Sequence, residues 1–376
     1  MSPLLLLIAF LASADAAVVV ERHVGISSAF SRPPAHPALD LTDPRLSRRG
    51  LLEDAAGDHS SQPEQVHLLP AGPGAMHVVW ATRSALDDGT VVKYHKHVDG
   101  EDETAVKWAE ATFTSTAYTA QICLAESQSV SATMGPRTPV RVEDLVALAN
   151  TSTWAEPDAA NYRVIKDADD VIPSGWWGPP WSKAICLAYN NPDAQYQSPI
   201  INVAHLTGLE GDAHYHYAIP GDTKTHRHFD APPDSLEAGK EAHASTVFAV
   251  VGDTGQTEVT AAVFEHVAGM EDADVLLHTG DLSYADGFPP RWDTFGRLAE
   301  VVMDRLPSLF VAGNHDVSTN GLESQAYHTR YPSPHRSSGS ASPEWWSFDV
   351  GLAHVIGFSS YASSKGPGAF EGRTRS

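Results

Sequence analysis

Cysteine is nearly absent from this sequence, which contains only Cys123 and Cys186 in 376 residues. A single disulfide at most cannot hold a scaffold together, so the fold has to rest on a hydrophobic core. Positive charge is also scarce, with 25 lysines and arginines against 47 aspartates and glutamates and a formal net charge of -22. A surface of that sign repels polyanions, which argues against nucleic acid and anionic membranes as partners. No apolar run reaches the roughly 20 residues that a helical bilayer span needs. The leucine-rich stretch from Leu4 to Leu11 falls well short. The remaining composition, 42% hydrophobic and 19% charged, is globular, and the length allows two domains.

What the chain does have is a region, Val247 to Asp316, in which one local pattern occurs three times: FAVVGDTG, then VLLHTGDLSYAD, then SLFVAGNHD. Each is a short apolar run that ends in glycine and is followed at once by a carboxylate, an amide or an imidazole. A buried strand delivers polar groups to its C-terminal edge in this way. Between the first two runs, Val259, Ala262, Val263, His266, Val267 and Met270 recur at helical spacing. Between the second and third, Trp292, Phe295, Leu298, Ala299, Val302 and Leu306 do the same. The spacing predicts a β-α-β-α-β unit, hence a mostly parallel sheet whose ligands bind beyond the carboxyl ends of the strands. Asp253, Asp281, Tyr284, Asn314 and His315 gather there.

Two carboxylates, a phenol and an amide oxygen are hard donors, suited to iron, manganese or magnesium and, with imidazoles added, to zinc. The tyrosine is the informative member. A free phenol has a pKa of about 10 and coordinates readily only when a strongly Lewis-acidic ion such as ferric iron removes its proton. Two ions sharing a carboxylate could clamp a phosphate ester and supply a hydroxide for in-line attack. An aspartate after glycine, taken singly, is more often a turn residue or helix cap. Three such motifs in order, at crossover spacing and with the tyrosine in place, make coincidence a poor explanation.

Asp253-Thr254-Gly255, Gly280-Asp281-Leu282-Ser283-Tyr284 and Gly313-Asn314-His315-Asp316 resemble the first three metal-site motifs of purple acid phosphatases, within the calcineurin-like metallophosphoesterases. YADGFPPRWDTFGRLAE, YHTRYPSP and WWSFDVGLAHVIGFSSY extend the resemblance in the same order. It implies that Asp253 and Tyr284 bind Fe(III) and that Asp281 bridges two ions. Asn314 would bind a second divalent ion (Zn, Fe or Mn), with His315 outside the coordination sphere, contacting the phosphate or assisting the leaving group. The implied activity is hydrolysis of small phosphate monoesters at acidic pH, and homodimers are common among such enzymes. The family's V-x-x-H and G-H-x-H motifs have no counterpart downstream of Asp316, and the tail SSKGPGAFEGRTRS departs from the family abruptly. The expectation is therefore a chain truncated at its C-terminus. The alternatives are an inactive secreted glycoprotein of the same fold and a related metallophosphodiesterase or nucleotidase.

The expected fold class is α+β in two domains. A fibronectin type III-like β-sandwich precedes the metallophosphatase β-α-β-α-β sheet sandwich, which is incomplete at its C-terminus. Residues 1–16, ending in Ala14-Asp15-Ala16, read as a signal peptide of a secreted or vacuolar protein. Residues 17–61, rich in proline, serine and arginine, read as a flexible lead-in, with RLSRR as a solvated basic patch. Short strands punctuated by Gly, Asp and Pro over 62–233 make the sandwich, and 244–376 make the metallophosphatase domain. An insert at about 124–185 interrupts the sandwich, flanked at both borders by ICLA. It carries the sequon Asn150-Thr151-Ser152 and the aromatic run WWGPPW, and a Cys123–Cys186 disulfide would staple its base. His214, His216, His226 and His228 form strand-spaced pairs that resemble metal pairs but read as solvent-facing residues of the sandwich, and His354 is assigned no metal role.

Overall fold

The computed structural model of the chain describes residues 39, 45–46, 62–100, 106–121, 123–125, 184–186, 195–224, 227–234, 245–285, 289–317 and 322–361. The expected signal peptide, the Asn150 sequon and WWGPPW lie outside the described residues. So do nearly all of the insert and the tail after Tyr361.

The N-terminal strands are β1 (Glu64–Gly72), β2 (Ala75–Thr82), β3 (Val92–Lys96), β4 (Ala109–Ala111), β5 (Phe113–Thr116), β6 (Thr119–Gln121), β7 (Cys123–Ala125), β8 (Ala184–Cys186), β9 (Gln195–Gln197), β10 (Ile200–Thr207), β11 (His214–Ala218) and β12 (Arg227–Asp230). They form two four-stranded sheets, β1-β2-β10-β5 and β12-β11-β3-β4, with the pairs β6-β9 and β7-β8 beside them. Alternation sets the sandwich core. Val66, Leu68, Met76, Val78, Trp80, Ala204 and Leu206 point inward from the first sheet and meet Val92, Tyr94, Tyr215, Tyr217 and Phe229 from the second. At the base of the insert, β7 and β8 pair antiparallel with Cys123 directly opposite Cys186.

The C-terminal part follows the predicted order: β13 (Phe248–Val251), α1 (Glu258–Ala268), β14 (Val275–His278), α2 (Pro290–Met303), β15 (Ser308–Phe310), α3 (Asn314–Val317), α4 (Leu322–Arg330), β16 (Trp345–Val350) and β17 (Ala353–Phe358). Strands β13, β14 and β15 are parallel neighbours. Thr257 caps α1 in a reciprocal pair with Thr260, and Pro290 opens α2 at a position where no backbone donor is needed. One face of the parallel sheet packs Ala249, Leu276 and Phe310 against Phe264, Phe295, Leu298 and Val302 of the two helices. The other packs Val275, Leu277 and Leu309 against Trp346, Phe348, Val350 and Val355 of the β16–β17 hairpin.

The two parts share a core. Leu69, Val79, Ala81 and Ile201, on the outer face of the first sandwich sheet, belong to the same buried cluster as α1 and α2. This explains why β1 and β2 are buried on both faces. It also departs, at the described residues 39, 45 and 46, from the expectation of a flexible lead-in over 17–61. Leu39 and Leu46 are buried in that cluster, Leu39 N–H donates to Gln256 O at 2.7 Å, and Arg45 pairs with Glu258 at 2.6 Å. Apolar burial is the reason, because two leucines removed from water outweigh the entropy of fixing a few residues.

Candidate metal centre

The three glycine-ended strands deliver their polar residues to one edge. Past the ends of β13 and β14, the loops remain paired: Asp253 N–H donates to Gly280 O at 3.0 Å, Thr254 N–H to Asp281 O at 3.1 Å and Gly255 N–H to Leu282 O at 2.8 Å. The third loop fits closely against the second. A Cβ on Gly313 would lie 2.2 Å from Asp281 Oδ1, and one on Gly280 would lie 2.7 Å from Gly313 N. Only glycine allows this approach, which is why the second and third motifs read Gly-Asp and Gly-Asn.

The chemistry-bearing side chains then fall together. Tyr284 Oη donates to Asp253 Oδ1 at 3.0 Å. The Tyr284 and His315 rings lie 4.3 Å apart, and the His315 backbone N–H donates to Asp281 Oδ1 at 2.9 Å. Asn314 opens α3 next to them and is exposed, as is Asp253, whereas Asp281 and Tyr284 are buried. The five predicted residues thus share one strand-end edge, with Asp281 on its floor and Asp253 and Asn314 at its solvent side.

Two residues not singled out from the sequence hold this edge in shape. Asp316, fully buried, accepts from Asp281 N–H at 2.6 Å, Leu282 N–H at 2.9 Å and Gly313 N–H at 2.9 Å, and so ties the second loop to the third. Burial pushes its carboxyl up to about 7, against the pull of those three backbone donors. His278 ends β14. Its Nδ1 accepts from Gly280 N–H at 3.3 Å, so the neutral ring carries its proton on Nε2, 2.9 Å from Thr254 Oγ1, which in turn donates to Leu282 O at 3.0 Å. Asp316 had a signal in the sequence, as the last residue of GNHD. His278 had none, because a histidine after an aliphatic run looks the same whether or not it is buried.

The backbone is strained at the same edge. Among the described residues, five that are not glycine have positive φ, and three of them are Asp253 (51°), Asp281 (57°) and Tyr284 (50°). Left-handed backbone costs a residue with a Cβ about 1–2 kcal/mol, and such strain concentrates at functional sites. Asp253→Gly and Asp253→Ala both remove the carboxylate and differ only in that Cβ. The glycine variant is therefore expected to be the more stable by about 1 kcal/mol in urea denaturation. Equal stabilities would mean that the left-handed backbone is not strained there.

The donors fit a hard, highly charged ion: two carboxylates, a phenol already hydrogen-bonded to one of them, and an amide oxygen. Among the described residues, no three histidine, cysteine, aspartate or glutamate side chains converge to hold an ion. An ion held at this edge would therefore need the phenol and the amide as well as the carboxylates.

Residues 246–363 match the family model described as calcineurin-like phosphoesterase. The chain is similar to purple acid phosphatase 22 of Arabidopsis thaliana, with 35% identity over 170 residues, 44% of this chain and 37% of that one. Phosphoenolpyruvate phosphatase of Allium cepa is 36% identical over 177 residues, 44% of this chain and 36% of its own length. Fe(3+)-Zn(2+) purple acid phosphatase 12 of Arabidopsis thaliana is 34% identical over 180 residues, 45% of this chain and 37% of its own. The chain thus spans little more than a third of the length of these relatives. Its three strand-end loops lie inside the matched region, and residues 246–363 form a calcineurin-like phosphoesterase domain in a chain similar to purple acid phosphatases.

Proposed function

We propose that the edge formed by Asp253, Asp281, Tyr284, Asn314 and His315 is the metal-binding half of an acid phosphatase site acting on small phosphate monoesters. The observation that carries the proposal is the Tyr284 phenol lying 3.0 Å from the Asp253 carboxylate at the end of parallel strands. That contact is the one a ferric ion would replace once the phenol proton is lost. Asp253 and Tyr284 are the proposed ligands of Fe(III), Asp281 the bridging carboxylate, and Asn314 the ligand of a divalent ion, with zinc, iron or manganese as candidates. A relative named for Fe(3+) and Zn(2+) supports that pairing.

When bound, the ions would supply the positive charge that a chain of net charge -22 lacks and would lower the pKa of the attacking water. The chain's own residues do the positioning. Asp316 fixes the Asp281 backbone, and the Gly280 and Gly313 approach keeps the second and third loops in contact. His315, half-buried beside Tyr284, would contact a phosphate oxygen or give a proton to the leaving alkoxide. Export through residues 1–16 and a homodimer belong to the same proposal.

Adding Fe(III) to the protein is expected to produce visible phenolate-to-iron charge-transfer absorption, with near-complete loss in Tyr284→Phe. Hydrolysis of a chromogenic phosphate monoester after loading with Fe(III) and Zn(II) is the accompanying activity assay. Colour that persists in Tyr284→Phe would refute the ligand assignment.

A further inference from the structure

The outer face of the second sandwich sheet carries a set of imidazoles far from the phosphoesterase edge in sequence. His214 and His216 stand two residues apart on β11 and so share a face. Strand pairing extends the set in both directions: His216 is opposite His95 of β3 and opposite His228 of β12, while His214 is opposite Asp230. His97, just past β3, donates its N–H to His214 O at 2.8 Å. Two rows therefore cross the sheet, His228-His216-His95 and Asp230-His214-His97. The sequence pairs HYHY and HRH suggested ordinary sandwich residues, but β3, more than 100 residues earlier, adds two further imidazoles to the same face.

Three of these rings form a triangle. The centroids of His97 and His216 are 5.1 Å apart, those of His214 and His216 are 5.3 Å apart, and those of His97 and His214 are 5.7 Å apart. Zinc binds imidazole nitrogen at about 2.0–2.1 Å, and tetrahedral angles then place the centroids of ligating rings roughly 5 Å from one another. His214 has a further feature of a ligand. Its Nδ1 lies 2.7 Å from Asp230 Oδ1, which fixes the tautomer and leaves Nε2 available, as in carboxylate–histidine–metal arrangements.

We propose that His97, His214 and His216 form a surface site for a divalent transition ion of borderline softness, zinc or copper, with Asp230 positioning His214. As they stand, no three of these side chains converge on an ion: the His97 and His216 rings are stacked at 26°, and His97 Nε2 lies 3.3 Å from Asp99 Oδ1. His97 and His214 are more than a third exposed, so their rings can turn while the strand register holds their Cβ atoms in place. Imidazole is the preferred partner of such ions, and the phosphoesterase edge offers only oxygen donors apart from His315.

The test uses the full chain and one equivalent of Cu(II), read by electron paramagnetic resonance, with Zn(II) affinity measured by calorimetry. Expected are nitrogen couplings from about three imidazoles. His216→Gln and His214→Gln should each weaken Zn(II) binding roughly tenfold or more, and Asp230→Asn about tenfold. His77→Gln, on the other sheet, should leave binding unchanged. Circular dichroism checks that these sheet-surface variants keep their fold. The proposal is overturned by a spectrum with oxygen ligands only, or by unchanged Zn(II) affinity in folded His216→Gln.

Discussion

Replacing Asp293 by alanine is expected to destabilise the protein by about 3–5 kcal/mol, the usual consequence of leaving a buried charge without its partner. Asp293 of α2 is fully buried, and its Oδ1 accepts from Arg330 of α4 at 2.8 Å. Its Oδ2 accepts from Tyr196 Oη of β9 at 2.9 Å. The Arg330 guanidinium, also buried, donates as well to Gln65 Oε1 at 2.6 Å, Tyr118 Oη at 3.1 Å and Tyr196 Oη at 2.9 Å. Beside it, Arg297 pairs with Glu64 of β1 at 3.0 Å. Burial pushes the Asp293 carboxyl up, while Arg330 and Arg297 pull it back. With the carboxylate gone, Arg330 keeps its charge in a low-dielectric site with neutral acceptors only. The network joins strands of the sandwich to helices of the phosphoesterase part, so the loss should separate the two as well as lower the urea midpoint. In the double variant Asp293→Leu/Arg330→Met no charge is stranded, and it should recover a large part of the loss. Recovery would identify the uncompensated charge as the cause; equal destabilisation of single and double variants would show that packing is.

Acid should weaken the fold through His278. Burial pushes this histidine down from 6.5 to about 3, so the folded chain holds it neutral while the unfolded chain protonates it near 6.5. The contribution is fully present above pH 6.5, declines as pH falls through 6.5, and stops declining near pH 3. At 1.36 kcal/mol per pH unit, the decline is about 2 kcal/mol by pH 5 and on the order of 4–5 kcal/mol in all. His77, pushed down to about 4 chiefly by burial, acts in the same direction. Asp316, pushed up to about 7, acts in the opposite direction over the same range, so the His278 part is the difference in slope between the unsubstituted chain and His278→Gln, from denaturant unfolding at pH 7 and pH 5. An unchanged slope in that variant would place the acid sensitivity elsewhere. Because His278 holds Thr254 between the first two site loops, protonation also disturbs the edge that carries Asp253 and Asp281.

Much of the phosphoesterase part was legible along the chain. The apolar runs, their closing glycines and the helical spacing between them are local patterns, and the parallel β13-β14-β15 order follows from them. Residue types at the strand ends already pointed to hard cations as the ligands to expect. Other features were not legible. The polar side of α2, with Arg291, Asp293 and Arg297, would by itself read as solvent-facing, yet it is buried against β1 and α4. Leu39 and Leu46 stand in a proline- and serine-rich stretch without periodicity, and nothing local shows that they are docked.

The amino-acid sequence by itself determined the alternation of strand and helix, the polar residue types at the strand ends and their arrival at one sheet edge. Each of these depends on residues within a few positions of one another. Only the tertiary structure decided that Asp316 clamps two loops, that Arg330 meets Asp293 and Gln65, and that His97 joins His214 and His216 on one face. Those neighbours are 35 to 265 positions apart in the cases of Asp316 with Asp281 and Arg330 with Gln65. Their meeting depends on strand pairing and on packing between the two parts, and no local period of hydrophobicity encodes which distant segments pair.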